Sequence, residues 1–78
     1  MYHYYSKTSK RNRISVAGEH TEGVLNVGVA RCSDDDNFCR VKGRQIAEER
    51  IRKNDVYVSF NIPDCPTELF VLLAKGIE

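Results

Sequence analysis

The sequence predicts an α+β domain whose elements follow one another in the order β-β-α-β-α. Apolar and polar residues alternate with a period of two at residues 13–16, 24–31 and 56–62, which indicates three strands. An apolar arc with helical spacing lies between residues 37 and 53, and a second apolar run follows at 69–73. We therefore expect a three-stranded sheet with the long helix packed on one face. The short C-terminal helix should lie beside that helix or against a second copy of the chain.

The first two strands should form a hairpin, because the segment between them, residues 18–23, has a glycine at each end and is typical of a turn. In the second strand, Leu25, Val27 and Val29 share one face. The third strand is followed by Pro63, which cannot continue a strand interior. With 78 residues the chain suits one small domain. We place this domain at residues 13–78 and assign residues 1–12 to a basic and aromatic N-terminal segment.

The long helix should run over about residues 37–53, after a capping-box-like pair formed by Ser33 and Asp36. Its apolar arc contains Cys39, Gly43, Ile46, Ala47 and Ile51. A glycine inside a helix costs stability, so Gly43 indicates the close approach of a neighbouring element. Arg50 lies near the middle of the same arc, where its guanidinium must reach solvent, pair with a carboxylate or bind an anion.

The C-terminal apolar run at residues 67–74 is compatible with a helix and with a terminal strand, since a short run does not distinguish them. For a helix, Pro66 would stand in the first turn and Gly76 would cap the end. Five consecutive apolar residues present more surface than one contact can bury. We therefore expect a homodimer built with this segment.

The charged residues are nearly balanced in number but unevenly placed. Residues 1–53 hold eleven basic and seven acidic residues (+4), and residues 54–78 hold one basic and four acidic (−3), which gives the net charge of +1. A balance this close to neutral provides no global field for steering a polyanion. The candidate partner-binding residues are the arginines of the helix and its flank, together with one aromatic residue: Arg31, Arg40, Arg44, Arg50 and Tyr57. A basic cluster in the N-terminal segment consists of Lys7, Lys10, Arg11 and Arg13. We expect any anion at the helix flank, because Asp34–Asp36 would repel it from the helix N-terminus.

Neither catalysis nor a cofactor is predicted. Cys32 and Cys39 are too far apart for the common zinc spacings, and an odd number of cysteines favours reduced thiols in a cytoplasmic compartment. No nucleophile-elbow or phosphate-loop motif is present in the sequence. No run of 18 apolar residues occurs, so we expect no membrane partner.

Several short stretches in the middle of the chain carry a resemblance to known proteins. They are Val27-Gly28-Val29-Ala30-Arg31-Cys32-Ser33, Asp36-Asn37-Phe38-Cys39 and Lys42-Gly43-Arg44-Gln45-Ile46-Ala47, followed by Arg50. In these stretches the chain resembles small proteins that phages and prophages encode. The resemblance implies a mobile-element origin, in which small proteins commonly act as inhibitors or decoys against host defences.

The resulting hypothesis is a non-enzymatic binding protein of a phage or prophage that inhibits a bacterial defence system, anti-CRISPR-like or similar, by stoichiometric binding in the host cytoplasm. The alternative is that the arginine-rich helix flank binds nucleic acid or sequesters a cyclic or oligonucleotide signal. A small hydrolase or transferase is a third possibility, for which the sequence offers no catalytic constellation.

Overall fold

A computed structural model of the chain describes residues 1–7, 12–33 and 40–77. Its elements are β1 (Tyr2–Lys7), β2 (Asn12–Thr21), β3 (Val24–Ser33), α1 (Arg40–Arg52), β4 (Val58–Asn61) and α2 (Thr67–Ile77). The strands pair in the order β1-β2-β3-β4, and every pairing is antiparallel. The α+β class is confirmed. The predicted strand number is wrong, because the sheet has four strands within the described residues.

The additional strand comes from the N-terminal segment. β1 pairs along its whole length with β2, from Tyr2 opposite Gly18 to Lys7 opposite Arg13. Tyr2 and Tyr4 pack against the main core, and the ring of Tyr2 stacks on that of Phe70 with centroids 5.2 Å apart. Aromatic residues favour strands when they can cover a neighbouring apolar surface. That surface is created by the fold and is not visible in residues 1–12 alone.

The hairpin between β2 and β3 turns more tightly than its sequence predicts. Strand pairing continues to Thr21 opposite Val24, so that only Glu22 and Gly23 form the turn. Both have positive φ angles, 53° and 78°, as a two-residue turn of type I′ requires. The prediction of a six-residue turn at 18–23 is therefore wrong. Gly18 lies inside β2, where a Cβ would come within 2.5 Å of the Phe70 ring.

The two helices lie on opposite faces of the sheet. On the α2 face, the main core contains residues from both layers: Ile14, Val16, Leu25, Val27, Val29, Cys65, Phe70 and Ala74. On the α1 face, Ala17 and Ala30 of the sheet pack against Ala47 and Ile51 of the helix. Helix α2 consequently does not pack beside α1. Because side chains alternate along each strand, β2 and β3 contribute to both cores.

Helix α1 approaches the sheet closely because the strand residues beneath it are small. A Cβ at Gly28 of β3 would lie only 2.2 Å from the carbonyl oxygen of Ala47. Gly43 of α1 is buried. The helix ends with Asn54 at a φ of 59° and with the Asp55 amide donating to the Arg50 carbonyl oxygen at 2.7 Å. This is the pattern of a Schellman-type end.

The C-terminal apolar run is a helix, which resolves the alternative that the sequence leaves open. Phe70 and Ala74 of α2 are buried, whereas Leu72 is 65% exposed. Gly76 lies within α2 and is not its cap. The predicted capping box falls partly on residues 34–39, outside the described residues. Within the described ranges, no helix is long and apolar enough to cross a bilayer.

Candidate functional site

Strand β3 is much longer than its neighbour β4. All ten residues of β3 are paired with β2, but β4 pairs only with Val24–Val27. The strand predicted at residues 56–62 is shortened to Val58–Asn61. Beyond Val27, no described strand covers the β4 side of β3. We call residues 28–33 on this side the open edge. Within it Arg31 is exposed, whereas Val29 is 4% exposed and its carbonyl oxygen accepts a hydrogen bond from Arg50.

The peptide groups that face the open edge can be assigned from the strand geometry. The Tyr57 amide donates to the Val27 carbonyl oxygen at 2.7 Å, so Val27 directs its peptide groups towards β4. In an antiparallel strand, alternate residues direct their N–H and C=O groups to the same side. Val29 and Arg31 therefore face the open edge, while Gly28 and Ala30 bond to β2. The Val29 carbonyl oxygen accepts a hydrogen bond from Nη1 of Arg50.

Cationic side chains flank the open edge on both faces of the sheet. On the α1 face, a cleft of about 290 Å³ is lined by Val29, Arg50, Asp55, Val56 and Tyr57. The Tyr57 side chain at its rim is 57% exposed. On the α2 face, Nη2 of Arg31 donates to the Ile77 carbonyl oxygen at 3.1 Å, which fixes this guanidinium near the end of α2. A strand placed here would have an arginine on each side of its backbone.

Three of the five predicted partner-binding residues thus meet at one place, namely Arg31, Arg50 and Tyr57. Arg44 does not join them, because it lies on the opposite flank of α1 and lines a separate cleft beside β1. The side chain of Arg40 lies outside the described part of the chain. The single arginine flank expected from the sequence is therefore divided between two surfaces. Arg50 is exposed, in agreement with the expectation that its guanidinium reaches solvent, and its Nη1 also donates to the Val29 carbonyl oxygen.

The predicted N-terminal basic cluster is described only in part. Lys7 and Arg13 are cross-strand neighbours in β1 and β2. Lys10 and Arg11 lie outside the described residues.

The cleft beside β1 was not predicted from the sequence. It has a volume of about 510 Å³ and contains His3, Tyr5, Ser15, Val41 and Arg44 in its lining. Ser15 is 3% exposed although it is polar. The sequence gives little indication that Ser15 is buried, because exposed serines occur in the same alternating strand patterns.

The described ionisable groups give little indication of metal or thiol chemistry. Among residues 1–7, 12–33 and 40–77, no three His, Cys, Asp or Glu residues are grouped so as to hold a metal ion. Cys65 is buried, and its burial, followed by the nearby charge of Asp64, raises the pKa of its thiol. The Cys65 thiol is therefore protonated at neutral pH and is a poor nucleophile. The side chains of Cys32 and Cys39 are not among those described.

Comparison with known proteins adds no family to this description: no protein-family model, curated protein or solved structure matches the chain.

Proposed function

We propose that the protein is a non-enzymatic binding protein that captures an extended, acidic segment of a partner protein as an added strand at the open edge of β3. The observation that carries the proposal is the difference in length between β3, with ten residues, and β4, with four. An uncovered strand edge is a template for pairing with another chain. The six residues of the open edge correspond to about 20 Å of strand.

Backbone pairing would be provided by Val29 and Arg31. Their N–H groups would donate to the carbonyl groups of the incoming strand, and their C=O groups would accept from its amides. A carbonyl oxygen has two lone pairs, so the Val29 oxygen can retain Arg50 while it accepts a second hydrogen bond. Next to the open edge, the amide of Tyr57 donates to the carbonyl oxygen of Val27, so the added strand would lie in line with the chain that leads into β4.

Charge selects the class of partner. Arg50 lies on one face of the open edge and Arg31 on the other, so acidic residues on either face of the added strand would meet a guanidinium. Two copies of this chain paired through the same edge about a two-fold axis would instead place arginines of both copies, with like charge, on each face of the pair. We therefore favour a different protein as the partner. In view of the phage resemblance, we propose that it is a component of a bacterial defence system, bound in the cytoplasm of the host.

The first test is amide hydrogen exchange of the free protein, measured residue by residue by NMR. We expect an alternating pattern: the amides of Gly28, Ala30 and Cys32 should be protected by β2, whereas those of Val29 and Arg31 should exchange rapidly. If the Val29 and Arg31 amides are protected as well as their neighbours, the edge is already covered and the proposal is wrong.

The second test is titration with an end-blocked hexapeptide of alternating valine and glutamate. Binding should protect the Val29 and Arg31 amides. Alternate residues share one face, so the charged residues of this peptide all meet one of the two guanidinium groups. The same peptide with lysine in place of glutamate should therefore bind about tenfold more weakly, because like charges then face each other. A peptide N-methylated at alternate residues should not bind, since it lacks the edge donors. Equal binding of the glutamate and lysine peptides would contradict the charge argument.

Variants distinguish binding at the open edge from unspecific electrostatic attraction of the peptide. Arg50→Gln should weaken the binding of the glutamate peptide by several-fold. The control, Lys42→Ala, removes one charge from the same helix away from the edge and should change the affinity by less than about twofold. Native mass spectrometry of the unliganded protein reports the oligomer. A dimer that disappears on binding of the peptide would show that a second copy occupies the edge, against the proposal. A dimer insensitive to the peptide would support the predicted contact through the C-terminal segment.

A further inference from the structure

A second cleft, of about 510 Å³, lies on the other flank of α1, between this helix and β1. We propose that this cleft binds a nucleoside monophosphate, with Arg44 and Ser15 on the phosphate and with Tyr5 and Val41 along the base. Among the described residues, the site shares no lining residue with the open edge of β3. The inference therefore does not depend on the function proposed above.

Ser15 provides a polar group at the floor of the cleft. It lies on the α1 face of β2, between Tyr5 of β1 and Ala30 of β3, and is only 3% exposed. Ser15 lines the cleft together with Arg44. A phosphate oxygen in the cleft would accept a hydrogen bond from the Ser15 hydroxyl.

Arg44 provides the positive charge at the rim. It is exposed on α1 and forms neither an ion pair nor a side-chain hydrogen bond with the described residues. Glu48, one turn further along α1, does not neutralise Arg44, because its carboxylate oxygens contact His3 at 2.5 Å and Arg52 at 3.5 Å. An exposed guanidinium is suited to bind phosphate through two parallel hydrogen bonds.

The size and the apolar part of the lining argue for more than a phosphate ion. Small-molecule sites commonly have volumes of about 300–1,000 Å³, and this cleft falls within that range. Val41 is 52% exposed on the first turn of α1, and the half-buried Tyr5 lies across the cleft on β1. An aliphatic and an aromatic side chain in the lining of one cleft can contact a planar base. The anion and the base together define a nucleotide.

The test is a titration of ¹⁵N-labelled protein with AMP, adenosine and inorganic phosphate, followed by NMR. We expect AMP to shift the amides of Tyr5, Ser15, Val41 and Arg44, and to bind more tightly than either of its parts. Arg44→Ala should weaken the binding of AMP by about tenfold or more, and Ser15→Ala should weaken it by about threefold. Lys42→Ala changes the same charge on the same helix outside this cleft and should alter affinity by less than about twofold.

Each outcome decides the proposal. Equal affinities for AMP and adenosine would overturn the phosphate assignment, and shifts confined to Arg50 and Tyr57 would overturn the location. No shift at millimolar AMP would overturn the site itself. Tighter binding of a 5′-phosphorylated single-stranded oligonucleotide, with strong salt dependence, would support the same contacts and identify a strand end as the source of the nucleotide. Because the peptide test concerns the amides of Val29 and Arg31, failure of one proposal is distinguishable from failure of the other.

Discussion

Substitution of Gly28 by alanine should destabilise the protein strongly, although it adds only one methyl group. Gly28 lies in β3 directly below α1, where an added Cβ would be 2.2 Å from the carbonyl oxygen of Ala47 and 3.0 Å from Cγ1 of Ile51. Real Cβ atoms essentially never come closer than 3.0 Å to such an atom, so the helix would have to move by about 0.8 Å. The obstructing atom belongs to the backbone of α1 and cannot rotate away.

The size of the effect follows from the packing. Insertion of a methyl group into a filled core costs about 1–3 kcal/mol, and contact with a rigid backbone places Gly28→Ala at about 3 kcal/mol. A domain of this size is expected to have a total free energy of unfolding of about 3–5 kcal/mol. The variant would therefore retain little stability. Since 1 kcal/mol corresponds to about 4–8 °C for a domain of 60–100 residues, the Tm should fall by about 12–24 °C.

Gly76→Ala is the matched control, because nothing lies within 4 Å of the Cβ that it would add. This glycine is inside α2, where alanine is favoured by up to about 1 kcal/mol, and less near a helix end. We expect a Tm increase of about 2–4 °C. Both values can be measured by thermal and denaturant unfolding followed by circular dichroism. A Gly28→Ala variant as stable as the natural protein would refute the close approach of α1 to β3.

Two further predictions concern β1 and the buried thiol. Tyr2→Phe should lower the free energy of unfolding by about 1 kcal/mol, because it removes the hydroxyl that donates to the Cys65 carbonyl oxygen and retains the ring stack on Phe70. No change in denaturant unfolding would indicate that β1 is not part of the folded domain. The raised pKa of Cys65 means that the folded state holds the thiol proton more tightly than the unfolded state does, so its contribution to stability is complete below the ordinary thiol pKa of 9.0 and is lost as the pH rises through the folded pKa. The alkaline loss of stability should be smaller in Cys65→Ala than in the natural protein, after normalisation at pH 7, and an identical slope in the two proteins would contradict this assignment.

The parts of the fold that depend on local periodicity could be predicted from the sequence. Leu25, Val27 and Val29 share a buried face, as alternation requires, and Ala47 and Ile51 form the buried side of α1. The strand β1 was not predicted, because its sequence lacks aliphatic residues and its tyrosines acquire a buried surface only when they meet β2 and α2. The order of chain segments alone does not indicate that the two helices occupy opposite faces.

The candidate site shows the same division. The sequence indicated Arg50 by its place on the apolar arc of a helix, and Tyr57 as an aromatic ring that could lie among the arginines. The open edge itself results from a difference in strand length, which is set by pairing register and by the point at which β4 separates from β3. Register is a property of two segments brought together, so the sequence of neither segment reveals it. Ser15 was missed for a related reason, since its burial depends on β1 and α1 together.

The two proposed sites should act independently, although α1 contributes to both. Arg44 and Arg50 are six residues apart on this helix, which corresponds to a rise of about 9 Å, and they lie on opposite flanks. The small residues beneath α1 let the helix pack closely on the sheet, so we expect α1 to keep one position when a ligand binds on either flank. In a double-mutant cycle, Arg44→Ala should weaken only the binding of AMP, and Arg50→Gln should weaken only the binding of the glutamate peptide. The coupling free energy between the two substitutions should be below about 0.5 kcal/mol. Likewise, saturation with AMP should leave the affinity for the peptide unchanged. A larger coupling, of the same size measured from either ligand, would show that α1 shifts on the sheet and would contradict the rigid contact at Gly28.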